Sequence, residues 1–135
     1  MIVIDASSLA KYILREENWE KVRGYLLDEP YSLTLALAEI SNAIWKHHTL
    51  YKRISRKEVE IIFTALKKLR EDVVIFEPFE NYLGMAMDIS MSERIPIYDA
   101  LYLAQAKRYG VPLLTSDERQ WDVALKLGIK ARYIE

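Results

Sequence analysis

Four acids, Asp5, Glu39, Asp99 and Asp117, stand where a strand ends or a helix begins in the pattern of the chain. Asp5 follows Ile2-Val3-Ile4, Glu39 lies in the opening of a long apolar helix pattern, Asp99 opens another, and Asp117 comes after Leu113-Leu114-Thr115. Each alone has a structural explanation, because Asp caps helices and a first-turn carboxylate is favoured by the helix dipole. The coincidence of four carries the argument. If they converge in one crevice, each pair of charges about 4 Å apart repels by roughly 4 kcal/mol at a protein-like dielectric, and several such pairs rival the stability of a domain. Either some carboxyls then stay protonated at neutral pH or a divalent cation lies among them. With no cysteine and two histidines in the chain, the donors are oxygens, which suit Mg²⁺ or Mn²⁺ better than zinc or copper. Mg²⁺ takes phosphate oxygens as partners, so the implied substrate is a phosphate ester.

The elements that must position these acids follow from hydrophobic period and punctuation. Ile2–Ile4 reads as a strand, with Ser7 or Ser8 capping a helix through Leu9, Ile13 and Leu14. A helix over 18–27 precedes a second strand over 31–35, and Leu37, Ile40, Ile44, His47, His48 and Tyr51 mark a long helix over 36–51 with Glu39 in its first turn. Ser55-Arg56-Lys57-Glu58 has capping-box spacing ahead of a stripe of Val59, Ile62, Phe63, Leu66 and Leu69. A third strand over 73–76 leads to a helix that stops before Pro96, then to the Asp99 helix, closed by Gly110. A fourth strand over 112–115, a cap at Ser116, a helix over 118–127 ending at Gly128 and an edge strand over 132–134 complete the chain. Alternating strands and helices imply right-handed crossovers and a central, mainly parallel twisted sheet in a three-layer α/β/α arrangement. In such sheets ligands gather beyond the carboxyl ends of the strands, where the four acids fall.

At 135 residues, 51% hydrophobic and 29% charged, the composition fits a single domain over 1–135. No apolar run reaches the ~20 residues of a membrane span, and Met1 leads straight into the first strand, so a cytoplasmic protein without a signal peptide is expected. A net charge of −1 removes the argument for nucleic-acid binding from global basicity. Local patches remain: Lys46, Lys52, Arg53, Arg56 and Lys57 fall in an acid-free stretch with His47 and His48, where Trp45 or Tyr51 offers a stacking surface. A solvated helix end explains that stretch equally well. Asp122 reads as part of a solvated helix face. Leu9, Tyr12, Ile13, Trp19, Val22 and Leu26 give the early helices more apolar surface than one small core obviously needs.

Asp5-Ala6-Ser7 after the first strand, Ala38-Glu39 in a long helix, Tyr98-Asp99-Ala100 opening another and Thr115-Ser116-Asp117 after a strand resemble the PIN-domain nucleases. The four motifs occur in order at separations of 34, 60 and 18 residues, and the chain is similar in size to the stand-alone VapC toxins of toxin–antitoxin pairs. The resemblance implies a PIN-like fold and a Mg²⁺- or Mn²⁺-dependent endoribonuclease. Asp5 and Asp99 would be ligands of a first metal, with Asp117 and Glu39 serving a second metal or orienting water. Ser7 and Thr115 match hydroxyl positions that hold a carboxylate or water, although a local turn or cap bond accounts for them equally well. The implied partners are RNA, a second copy of the chain and a VapB-like antitoxin whose tail blocks the acids, for instance with an Arg. With water as nucleophile the products carry a 5′-phosphate and a 3′-hydroxyl, and preference for RNA must come from groove shape and 2′-hydroxyl contacts. Three other readings share these residues: a receiver-like phosphoacceptor module, a catalytically inactive PIN fold used for binding, and a DNA-directed nuclease. The receiver fits less well, because adjacent acids after the first strand and a Lys after the last are missing.

Overall fold

The computed structural model describes residues 1–135. Five short strands, β1 (Ile2–Ile4), β2 (Pro30–Leu33), β3 (Ile75–Glu77), β4 (Leu113–Thr115) and β5 (Ala131–Tyr133), form one all-parallel sheet in the order β3-β2-β1-β4-β5. Parallel neighbours need crossovers, supplied by seven helices: α1 (Ala6–Ile13), α2 (Trp19–Tyr25), α3 (Thr34–Trp45), α4 (Arg56–Lys68), α5 (Leu83–Glu93), α6 (Ile97–Tyr109) and α7 (Glu118–Lys126). From β1 the chain builds outward through β2 and β3, then returns to place β4 and β5 on the other side. The order of the strands therefore reverses between β1 and β4, and a crevice opens there beyond their carboxyl ends.

Buried strands in a covered parallel sheet carry apolar residues on both faces. Val3, Ile4, Leu113 and Leu114 are accordingly inaccessible to solvent and lie at the heart of one cluster of 32 buried hydrophobic residues. Leu9, Ile13, Val22 and Leu26 belong to that cluster too, so most of the apolar excess read in the early helices is core. No helix is long and apolar enough to cross a membrane.

Several boundaries differ from expectation for local reasons. Helix α3 starts at Thr34, because strand pairing ends at Leu33, and Glu39 consequently lies in the second turn rather than the first. At its far end α3 passes into a π-helical turn over Lys46–Leu50. A second such turn, Leu69–Val73, takes up the start of the expected third strand and moves pairing to Ile75–Glu77. The capping box at Ser55 and Glu58 is present. At α1 and α7, however, the caps are Asp5 and Asp117 rather than the neighbouring serines, since the carboxylates take the first-turn N–H groups. Helix α6 shows no exposed face from Ala100 to Ala106, all seven residues being buried between the sheet and α5.

Candidate active site

Register fixes the first acid. Val3 pairs with Leu113 and Ile4 with Leu114, and the Asp5 N–H donates to the Leu114 carbonyl at 3.1 Å, which sets Asp5 beside Thr115. The Asp5 carboxylate is enclosed by donors: Ser7 Oγ at 2.6 Å and the Ser8 N–H at 3.2 Å reach Oδ1, and the Thr115 hydroxyl reaches Oδ2. The hydroxyls are themselves tied down, Ser7 Oγ across to the end of β4 by accepting from the Ser116 N–H at 2.8 Å, and Thr115 Oγ1 locally by accepting from the Asp117 N–H at 3.0 Å. Ser7 and Thr115 thus do more than cap locally; they stitch the end of β1 to the end of β4. Burial still dominates the electrostatics, pushing the Asp5 carboxyl up to about 6 against these hydrogen bonds, with the Asp117 charge adding to the rise.

Glu39 faces α6, where its Oε1 accepts from the Tyr102 hydroxyl at 2.7 Å. Burial raises its pKa, Tyr102 opposes the rise and the Asp99 charge adds to it. Asp99, in the first turn of α6, is raised by burial and by Asp117, and partly relieved by Arg119, whose Nη2 lies 3.4 Å from Asp99 Oδ2. Asp117 uses Oδ1 to cap α7, accepting from the N–H groups of Arg119 at 2.9 Å and Gln120 at 3.3 Å. The spacing of Asp99 and Asp117 is held by Gln120, which donates to the Asp99 carbonyl at 2.9 Å.

All four acids, with Ser7 and Tyr102, line one small pocket of about 90 Å³ at the carboxyl ends of β1 and β4. As oriented, no three acidic or histidine side chains form a ready-made ion cage. The physical reason is visible in the contacts: each carboxylate is turned toward its own donor, Asp5 to hydroxyls, Glu39 to Tyr102, Asp99 to Arg119 and Asp117 to the first turn of α7. The pocket therefore concentrates acids, three of which, Asp5, Glu39 and Asp99, are raised chiefly by burial and further by a neighbouring acid, while each is held on a separate scaffold.

The PIN domain family profile matches residues 2–126. The chain belongs to the PIN domain family. Ribonuclease VapC3 of Pyrobaculum aerophilum is similar, 28% identical over 123 residues that span 87% of this chain and 90% of the relative. Among solved structures, PAE2754 from Pyrobaculum aerophilum superposes with a TM-score of 0.68 at 24% identity, over 90% of this chain and 83% of that one. FitAB bound to an IR36 DNA fragment gives 0.66 at 19% identity, over 98% and 94% of the two chains. VapBC2 from Rickettsia felis, bound to a fragment of its promoter, gives 0.63 at 14% identity over the whole of both chains. These likenesses establish a shared fold. Receiver-type doubly wound sheets run 2-1-3-4-5, so the strand order of this PIN domain also sets that reading aside.

Within this PIN domain the structure separates the other candidates. Lys46, Lys52, Arg53 and Arg56 are exposed and none lines the acidic pocket. Helix α3 carries Glu39 toward the pocket and Lys46 two turns beyond it, and Arg53 instead covers the Tyr51 ring at 5.0 Å. His47 and His48 bond to different carbonyls, those of Ala43 and Ile54. Asp122 is exposed and outside the pocket, as expected of a solvated face. Residues not anticipated are Tyr102, Arg119 and Gln120. The signal for Tyr102 was available, since it lies three residues after Asp99 and hence on the same side of α6; Arg119 and Gln120 read only as ordinary helix surface.

Proposed function

We propose that the protein is a Mg²⁺- or Mn²⁺-dependent endoribonuclease acting through Asp5, Glu39, Asp99 and Asp117, and that it is the toxin of a VapBC-type toxin–antitoxin pair. The observation that carries this reading is the meeting of four acids from four distant segments in one pocket at the strand-order reversal. Membership of the PIN domain family and similarity to a protein named Ribonuclease VapC3 support the activity. The complexes named FitAB and VapBC2 support an antitoxin partner.

The donor set fits a hard divalent cation: carboxylate and hydroxyl oxygens only, with excess negative charge and with Asp5, Glu39 and Asp99 raised, so that a nearby cation would favour their ionised forms. Asp5 and Asp99 would hold it, with Asp117 and Glu39 serving a second ion or orienting water. When bound, such an ion polarises phosphate and lowers the pKa of a water at neutral pH. The chain's own groups supply the rest. Ser7 and Thr115 fix the Asp5 carboxylate so that it need not reorganise, Tyr102 holds Glu39 and remains a protonated donor because burial and the surrounding acids raise its pKa. The Ser7 and Thr115 hydroxyls donate to Asp5 and accept backbone N–H groups, so in this reading they are supports and water is the nucleophile.

The test is cleavage of single-stranded RNA by the purified protein in Mg²⁺, Mn²⁺ or EDTA, alongside an Asp99→Asn variant, with the 5′ ends of the products sequenced. Metal-dependent cutting that leaves 5′-phosphates and vanishes in the variant is expected. Undiminished cutting by the variant in Mg²⁺, or by wild type in EDTA, would overturn the reading, and DNA cut in preference to RNA at equal salt would change its substrate.

A further inference from the structure

The acids explain hydrolysis and leave open what holds the strand to be cut. The pocket wall is negative and small, so a polynucleotide must be gripped beside it. Two features flank Asp117 on opposite sides of the start of α7. Toward α6, the Arg119 guanidinium is 66% exposed and rests on Asp99 through a single contact of 3.4 Å. Toward β5, Trp121 stacks on Tyr133 with ring centroids 5.1 Å apart and planes 15° from parallel. Positions 119 and 121 lie about 200° apart around a helix, which is why one faces Asp99 and the other the sheet edge.

The stack is anchored to the pocket at both ends. Trp121 is one turn beyond Asp117 and its N–H donates to the Asp117 carbonyl at 3.0 Å. Tyr133 pairs in register with Thr115, the residue whose hydroxyl holds Asp5. Parallel partners in register point to the same face of a sheet about 4.8 Å apart. Both rings are half-buried and neither lines the pocket, so each keeps some surface open to solvent outside it. Resting on the ribonuclease reading above, we propose that Trp121 and Tyr133 form a platform for the base of a nucleotide neighbouring the scissile phosphate, and that Arg119 leaves Asp99 to hold a backbone phosphate. The occupant is a single-stranded polynucleotide because only unpaired bases present faces to a ring, and a guanidinium with one exposed partner transfers readily to phosphate. Arg119 and the two aromatics are positioning residues.

Binding separates this from the nuclease reading. Fluorescence anisotropy in Mg²⁺, on a Glu39→Gln background so that the strand stays whole, compares a ten-nucleotide oligouridylate with an abasic ribose-phosphate oligomer of equal length. The oligouridylate is expected to bind about 10- to 100-fold tighter. Tyr133→Leu and Trp121→Leu each remove most of that difference without weakening the abasic oligomer, whereas Arg119→Gln weakens both alike and lowers the salt slope by about one. Equal affinity for the two oligomers overturns the proposal, and since that comparison changes no residue of the platform, a variant that misfolds cannot decide it. Cutting of mixed cellular RNA by wild type is scored separately. Cutting without base-dependent binding ends the platform alone, and base-dependent binding without cutting ends the nuclease reading alone.

Discussion

Two carboxylate clusters share helix α6 and have opposite electrostatics. At the end of β3, Glu77 accepts from Tyr82 at 2.6 Å, Gln105 at 2.9 Å and Tyr109 at 2.6 Å. Burial would raise its pKa, but those bonds and Arg108 outweigh it and leave it lowered. In the pocket Asp5, Glu39 and Asp99 are all raised, because burial exceeds the donors available and the acids repel one another. Both clusters consist of an acid near a strand end with a Tyr from α6. The difference lies in burial and company: Asp5 has three donors, as Glu77 does, but is buried where Glu77 is half-buried, and the pocket acids repel one another where Glu77 has Arg108 beside it. Burial and like charge, more than the number of donors, separate the two.

The comparison fails most visibly if activity does not follow it. Asp99→Asn should lower RNA cleavage by a hundredfold or more, since even outer-shell changes at metal sites cost 10- to 100-fold, while Glu77→Gln should remain within about twofold of wild type in the same assay. Next in size is the response to pH in EDTA. Below about pH 4 Asp5 is protonated in both folded and unfolded chains; above that only the folded state retains the proton, until about pH 6. Stability from this group is therefore present at low pH and lost on rising through 4 to 6, by about 3 kcal/mol. Urea unfolding across that range should show the loss, and Asp5→Asn should flatten it. Glu77 works in the reverse sense, contributing stability above its unfolded pKa that disappears as pH falls.

Glu77→Ala should cost about 2 kcal/mol in urea unfolding by stranding its donors, whereas Asp99→Asn without metal should be neutral or stabilising, because a repelling charge is removed for the loss of one exposed ion pair. The smallest effect is expected from Arg53→Ala with Arg56→Ala, beyond the far end of α3: a few-fold weaker RNA binding that disappears at high salt, measured by anisotropy.

The sequence patterns made the parallel sheet and the convergence of Asp5, Glu39, Asp99 and Asp117 legible, because strand ends in a doubly wound fold share one edge. They did not reveal α6 as buried on every side from Ala100 to Ala106: six of those seven residues are apolar, and a helix covered on all sides has no apolar stripe to detect. Glu77 escaped notice because the π-helical turn at Leu69–Val73 displaces β3, so that the acid, which reads as a loop residue before Pro78, becomes the last residue of a strand. Serines and aspartates compete for the caps of α1 and α7 because Ser and Asp are near-equal in that role, and only the fold determines which one meets the N–H groups.

Helix α6 carries Asp99, Tyr102, Gln105 and Tyr109 at intervals of three, three and four residues, so one side of it serves the pocket at its start and Glu77 at its end. It acts as a key cut along a single edge. Inserting one residue midway would turn everything downstream by about 100°, leaving one lock or the other unopened, and no compensating change at the surface could restore both.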